Sequence, residues 1–245
     1  MARISRVVAV DTPHHITQRG NARRTVFETD SDRLAYLSML AQYSREHGLG
    51  ILGYCLMPNH IHLVAAPHRD DSMARALHFT NGRYAAYLNA RQQRTGHVWQ
   101  ARYYSCPLDE RHLWNALRYT ERNPVRAGLA PDPESYPWSS AAVHSDDAPL
   151  GSFVDLTVFR ERWNSVDWRG FTALDHGDGA EADELRRRTR TGRPLGSMEF
   201  LKKLERRLHR TLVPKRAGRP PKYLVPIAGP SVEIKISEMT GLSPN

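Results

Sequence analysis

The chain has 245 residues, 40% of them hydrophobic, with a formal net charge of +9 and two cysteines, Cys55 and Cys106. That length suits one ordinary domain with appendages; no run approaches the roughly 20 apolar residues of a membrane span, MARISRVVAVDTPHH lacks the features of a secretory signal, and two lone cysteines build no disulfide framework, so a reducing cytoplasm is the expected location. Residues 1–130 carry 17 Lys/Arg against 10 Asp/Glu, residues 131–185 carry 3 against 12, and residues 186–222 carry 14 against 2, and clustered cations of this kind attract polyanions, above all nucleic acid.

In chain order, HHITQRG (14–20) alternates as a strand does. Residues 31–48 place Leu34, Leu37, Leu40 and Ala41 at helical spacing, and Gly48 closes the pattern. ILGYCLM (51–57), the turn dipeptide Pro58-Asn59 and HIHLVAA (60–66) read as a hairpin. Residues 72–91 are helical with Ser72 as N-cap. HVWQARYYSCPL (97–108) is strand-like, and DERHLWNALRYTERN (109–123) is a helix stopped by Pro124, which disfavours helical geometry in the residue before it. The order β-α-β-β-α-β-α predicts an α+β fold. Its first six elements make a ferredoxin-like (βαββαβ) antiparallel sheet with two helices on one face, and a seventh element adds a C-terminal helix.

Past residue 130 the periodicity fades. Four parts are expected: a catalytic domain over 1–130, an acidic, partly ordered connector over 131–185, a basic segment over 186–222 and a tail of unassigned role over 223–245. Within these, PDPESYPWSSA reads as a surface-hugging loop and 172–184 as loose polar chain. MEFLKKLERRLHR (198–210) reads as an amphipathic helix with Phe200, Leu201, Leu204 and Leu208 on one face.

His60 and His62 sit two apart on one strand and therefore share a face. Two adjacent imidazoles are half of a metal site, although spacing alone leaves ligand and bystander equally open. The helix at 109–123 carries a polar stripe of His112, Asn115, Tyr119 and Asn123 at three- and four-residue spacing. Tyr119 offers a phenol and Asn123 a carbonyl oxygen; the plainer account of Asn123 is that it ends the helix before Pro124. Tyr84, Tyr87, Tyr103, Tyr104 and Tyr136 have no such companion at a helix end. For contact with an unpaired strand, Gln18, Arg19 and Asn21 form a polar strand end, while Trp99, Gln100 and Arg102 mix aromatic and basic groups. Arg118 and Arg122 lie on the tyrosine helix, placed to grip a backbone. GRP occurs twice, with Arg193 and Arg219, in a setting that suits minor-groove insertion or a sequence-tolerant grip on duplex DNA.

HHITQRGN, LMPNHIHLV, HVWQARYYSCPLDE and ALRYTERNPVRAGL together resemble the REP-associated tyrosine transposases, which are single-tyrosine HUH nucleases. The resemblance covers residues 12–140 in order, and TGRPLGS and GRPPK are similar to that family's C-terminal extension. It implies the HUH endonuclease fold, a location near the nucleoid and DNA as partner: single-stranded or hairpin DNA of repetitive palindromic elements. It implies that His60, His62 and a polar helix residue hold Mg²⁺ or Mn²⁺, and that Tyr119 attacks the scissile phosphate to give a 5′-phosphotyrosine and a free 3′-OH. Many relatives place a glutamine where this chain has the shorter Asn123. Some relatives exchange the tyrosine helix between two subunits and others act alone, so the resemblance allows a homodimer. The competing expectations are a non-catalytic hairpin-binding regulator derived from such an enzyme, and a phosphodiesterase that uses water.

Overall fold

Four antiparallel strands, β1 (His14–Arg19), β2 (Leu49–Met57), β3 (His60–Pro67) and β4 (Tyr104–Pro107), form one sheet in the order β2-β3-β1-β4. That arrangement, with α1 (Asp30–Glu46) and α2 (Ser72–Arg91) between the strands in sequence, is the ferredoxin-like order expected. The structure is a computed structural model that describes residues 6–146, 153–173 and 179–213. The chain divides after Val213, and every described residue falls in the first unit.

Strand alternation sorts the side chains into two layers. Ile16, Ile61 and Leu63 point to one face and pack with Tyr36 and Leu40 of α1 and with Met73, Leu77 and Tyr84 of α2. This is the main core. α1 begins with a capping box, in which the Thr29 side chain accepts from the Asp32 amide and Asp32 returns a bond to the Thr29 N–H. Val64, Leu52 and Cys106 point to the other face, where they meet Leu113, Ala116 and Leu117 of α3 (Glu110–Arg126). Gly53 sets the approach of α3 to β2: a Cβ there would lie 2.5 Å from Leu117 Cδ2 and 3.0 Å from Ser140 Oγ.

The second layer continues past residue 130. The short helices α4 (Ala141–His144) and α5 (Thr157–Arg162) are followed by α6 (Ser165–Ala173), α7 (Ala180–Thr191) and α8 (Met198–Leu208). Trp168 of α6 and Leu185 of α7 are buried in the same cluster as Leu113 and Leu117. The polar stretch read as loose is thus helical from Ala180, because Ala182 and the adjoining Leu185 are buried while Glu181 and Asp183 face solvent. The helix at 198–210 forms over Met198–Leu208 and buries Leu201 and Leu204. The strand read over 97–108 is confined to Tyr104–Pro107.

Pro124 does not stop α3, which runs on to Arg126. A proline removes the donor that would serve the carbonyl four residues back. The carbonyl so affected is Thr120 O; Asn123 Nδ2 reaches it at 3.4 Å and donates to Tyr119 O at 2.8 Å.

Candidate active site

β3 carries His60 and His62 on the face covered by α3, with ring centroids 4.9 Å apart. Pairing with β1 sets Arg19 opposite His60 and Thr17 opposite His62. α3 then brings Tyr119 across the sheet, its ring 5.5 Å from that of His62. Three residues singled out in the sequence therefore converge, although the tyrosine lies in a different element. Asn123 is one turn further along α3 and only half-buried; Oδ1 takes no hydrogen bond among the described residues.

A fourth group joins them. His15 of β1 is buried, its ring 5.3 Å from His62 and 5.8 Å from Tyr119. The signal for it was the alternation within HHITQRG. With Ile16 facing the α1–α2 layer, His15 must face α3, one strand away from His62.

The hydrogen bonds around these rings fix their tautomers. Thr189 Oγ1 of α7 donates to Leu185 O at 2.8 Å, so it accepts from His15 Nδ1 at 2.7 Å. That leaves His15 Nε2 as the acceptor for His62 Nδ1 at 3.1 Å. The chain ends with a lone pair on His62 Nε2. For His60, Nδ1 donates to Asn59 Oδ1 at 2.6 Å, and the Asn59 amide is oriented by its own donation to Arg23 O at 3.2 Å. His60 Nε2 is likewise left with its lone pair. An imidazole held by its far N–H is the usual form of a metal-ligating histidine.

Burial reinforces this state. It pushes His60 down to about 4, with the Arg19 guanidinium adding to the shift. Burial is also the main cause holding His62 well below the usual range, followed by His60, His15, Arg19 and Arg186. His15 is pushed down to about 3 by burial. All three rings are neutral near pH 7, as a ligating imidazole must be. Two imidazole nitrogens and a carboxamide oxygen fit a divalent cation, and the nitrogens favour Mn²⁺ over Mg²⁺. Among the described residues no group of three or more His, Cys, Asp or Glu is gathered for a metal.

Tyr119 is 6% exposed, and its hydroxyl accepts from Arg186 Nε of α7 at 3.1 Å. The Arg126 guanidinium lies 5.1 Å from the ring centroid. Beside the ring, between α3 and α7, is a cavity of about 210 Å³ lined by Asn115, Ala116, Tyr119, Ala182, Leu185 and Leu195.

The residues read as DNA contacts fall into distinct places. Arg19, Asn21, Gln100 and Arg102 are exposed near the histidine end of the sheet, where Gln100 N bonds Arg19 O at 2.9 Å. Gln18 lies on the opposite face of β1, 4% exposed, and donates to Ala101 O at 2.6 Å. Trp99 packs against Tyr36 and Tyr84 while its indole N–H donates to Asn81 O at 3.0 Å. Gln18 and Trp99 thus anchor the segment that presents Gln100 and Arg102. Arg118 and Arg122 are buried against α6: Arg118 lies over Phe171 at 4.8 Å, and Arg122 donates to Thr172 O. Arg193 donates to Leu212 O at 3.2 Å. Arg219 lies outside the described residues.

Residues 9–123 match the family model described as Transposase IS200 like. A Haemophilus influenzae protein named as a REP-associated tyrosine transposase is 28% identical over 142 residues, covering 54% of this chain and 73% of that one. A solved REP-associated tyrosine transposase bound to a REP hairpin superposes with a TM-score of 0.51 at 16% identity, covering 64% of this chain and 96% of that one. A solved transposase of Deinococcus radiodurans gives a TM-score of 0.34 at 18% identity, over 49% of this chain and 97% of that one.

Proposed function

We propose, from the match of residues 9–123 to the model described as Transposase IS200 like, that this chain is a transposase of that kind, which cleaves and rejoins single-stranded hairpin DNA with Tyr119 as nucleophile. The family match and the similarity to a REP-associated relative support a transposase-like function on DNA. The observation that carries the finer reading is the packing of the Tyr119 ring against His62 of the His-Ile-His pair, 5.5 Å between centroids. His60, His62 and Asn123 would hold Mg²⁺ or Mn²⁺. When bound, such a cation polarises the scissile phosphate and offsets the charge that repels a nucleophile.

The chain's own groups define the rest. Tyr119 Oη forms a bond to phosphorus as the bond from phosphorus to the 3′-oxygen breaks. The phenol proton passes to solvent and the departing 3′-oxygen takes one up. The product is a 5′-phosphotyrosine, which keeps the energy of the phosphodiester, so a 3′-OH can reverse the step without ATP. Exposed Arg19, Asn21, Gln100 and Arg102 receive the unpaired strand, with Gln18 and Trp99 bracing their backbone. Arg118 and Arg122 act by seating α3. Arg193, Arg219 and the neighbouring Lys215, Arg216 and Lys222 are assigned to the duplex stem.

The test uses a labelled single-stranded hairpin oligonucleotide with Mn²⁺ and reads a denaturation-resistant protein–DNA adduct. Tyr119→Phe should erase the adduct while hairpin affinity stays within about twofold. An adduct that survives in this variant moves the nucleophile elsewhere. Tight hairpin binding by the wild-type chain with no adduct and no cleavage would instead identify a non-catalytic regulator.

A further inference from the structure

α7 lies beyond residues 9–123, yet two of its side chains, three residues apart on one helix face, reach the groups of the candidate site. Arg186 Nε donates to Tyr119 Oη at 3.1 Å, and the guanidinium carbon lies 5.4 Å from the ring centroid. Asp183, one turn back, holds Arg186 NH1 at 2.6 Å, so the guanidinium is anchored from its own helix. Thr189 Oγ1 is the acceptor that orients His15, and His15 in turn is the acceptor that orients His62. Cys106 Sγ, 3.3 Å from the same hydroxyl, closes the site from β4.

We propose that α7 supplies two positioning residues for strand transfer: Arg186, which aims the Tyr119 hydroxyl, and Thr189, which through His15 sets the tautomer of His62. The inference rests on the reading of Tyr119 as nucleophile. The hydroxyl hydrogen of a phenol turns about the Cζ–Oη bond, and the lone pairs turn with it, unless a partner holds them. The Arg186 N–H occupies one lone pair and leaves the other to meet phosphorus. On rejoining, a 3′-oxygen bonds to phosphorus and gives its proton to solvent as the Tyr119 Oη–P bond breaks; the electron pair of that bond returns to Oη, where a cationic donor already sits. The second arm works through the tautomers. Without the Thr189 hydroxyl, the His15 Nδ1–H would be buried with no acceptor, which is costly. A proton moved to His15 Nε2 would oppose the one on His62 Nδ1. His62 would then carry its proton on Nε2, the atom needed for a metal.

Single-turnover adduct formation at saturating hairpin DNA and Mn²⁺ tests the first arm. Arg186→Ala should slow it about 30-fold or more, with hairpin affinity and thermal midpoint unchanged. Ethylguanidinium, but not ethylammonium, should restore part of the rate. A wild-type or faster rate, or a loss that guanidinium does not relieve, overturns this arm. For the second, the Mn²⁺ affinity of the DNA-free chain is read by electron paramagnetic resonance. Thr189→Val should weaken it about tenfold, and Thr189→Ser should restore it. The ¹⁵N shifts of His62 in the metal-free wild type should show the proton on Nδ1. A proton on Nε2, or wild-type Mn²⁺ affinity in Thr189→Val, overturns it. Tyr119→Phe separates the two levels. If that variant loses the adduct while the α7 variants behave as wild type, only this inference fails. If it keeps the adduct, the reading beneath it fails.

Discussion

His14, beside the site residue His15, is fully buried and serves only the fold. Its Nε2 accepts from Ala9 N at 3.4 Å, so Nδ1 donates to Thr12 O at 2.7 Å and the ring is neutral. Burial pushes it down to about 4, against about 6.5 for an unfolded histidine. Above pH 6.5 neither state holds the extra proton and the stability is fully present. As pH falls from 6.5 toward 4, the unfolded chain takes a proton that the folded chain refuses, and up to about 3 kcal/mol is lost. His15 and His60 shift in the same direction and add to the loss. Urea unfolding at pH 7.5 and 4.5 should show a marked drop in stability, and His14→Gln should make it smaller. An identical drop in that variant would remove His14 from the account.

α3 is the element on which the site depends, and its seat is polar as well as apolar. Glu121, two residues past Tyr119, has no exposed surface. It accepts from Ser140 Oγ at 2.6 Å and Trp168 Nε1 at 2.9 Å, and it contacts His144 Nδ1 at 2.5 Å. Ser140 and His144 belong to the α4 turn and Trp168 to α6, so one carboxylate ties α3 to the segments that follow it. Ser140 Oγ also receives the Tyr54 amide at 3.0 Å, which extends the tie to β2. Removing the carboxylate strands several buried donors. Glu121→Ala should cost about 3 kcal/mol in chemical denaturation. A loss below about 1 kcal/mol would mean that these groups find other partners. The same variant should slow adduct formation beyond what its unfolded fraction explains, because Tyr119 rides on the same turn.

At the scale of the whole molecule, charge divides the chain more clearly than packing does. Phe159 and Trp168 of the acidic part and Leu185 at its end are packed into the second layer of the sheet, and the charge boundary at 185/186 falls inside α7. On the proposed function, Lys215, Arg216, Arg219 and Lys222, which lie outside the described residues, would grip the DNA stem. Changing all four to alanine should leave thermal unfolding unchanged and weaken hairpin binding. The slope of log affinity against log salt should become shallower by roughly 3, as released counterions are lost. An unchanged slope would place the stem contacts elsewhere, with the exposed Lys202, Lys203 and Arg206 of α8 next to be tested.

The sequence by itself determined the order of the sheet and helices, the shared face of His60 and His62, and the stripe that carries Tyr119 and Asn123. These are consequences of periods of 2 and 3.6 residues, which are local properties of the chain. A period says which side chains share a face; it does not say what that face meets. Only the tertiary structure decided that His15 completes the histidine cluster, that Gln18 faces the other layer, and that Arg118 and Arg122 are buried beneath α6. It also decided that α3 runs through Pro124 to Arg126. Arg186 and Thr189 were least legible of all. Within the sequence they are one more arginine in a basic run and a threonine beside it; their meaning comes from the docking of α7 on β4 and α3, which brings a guanidinium to a phenol 67 residues away in the chain.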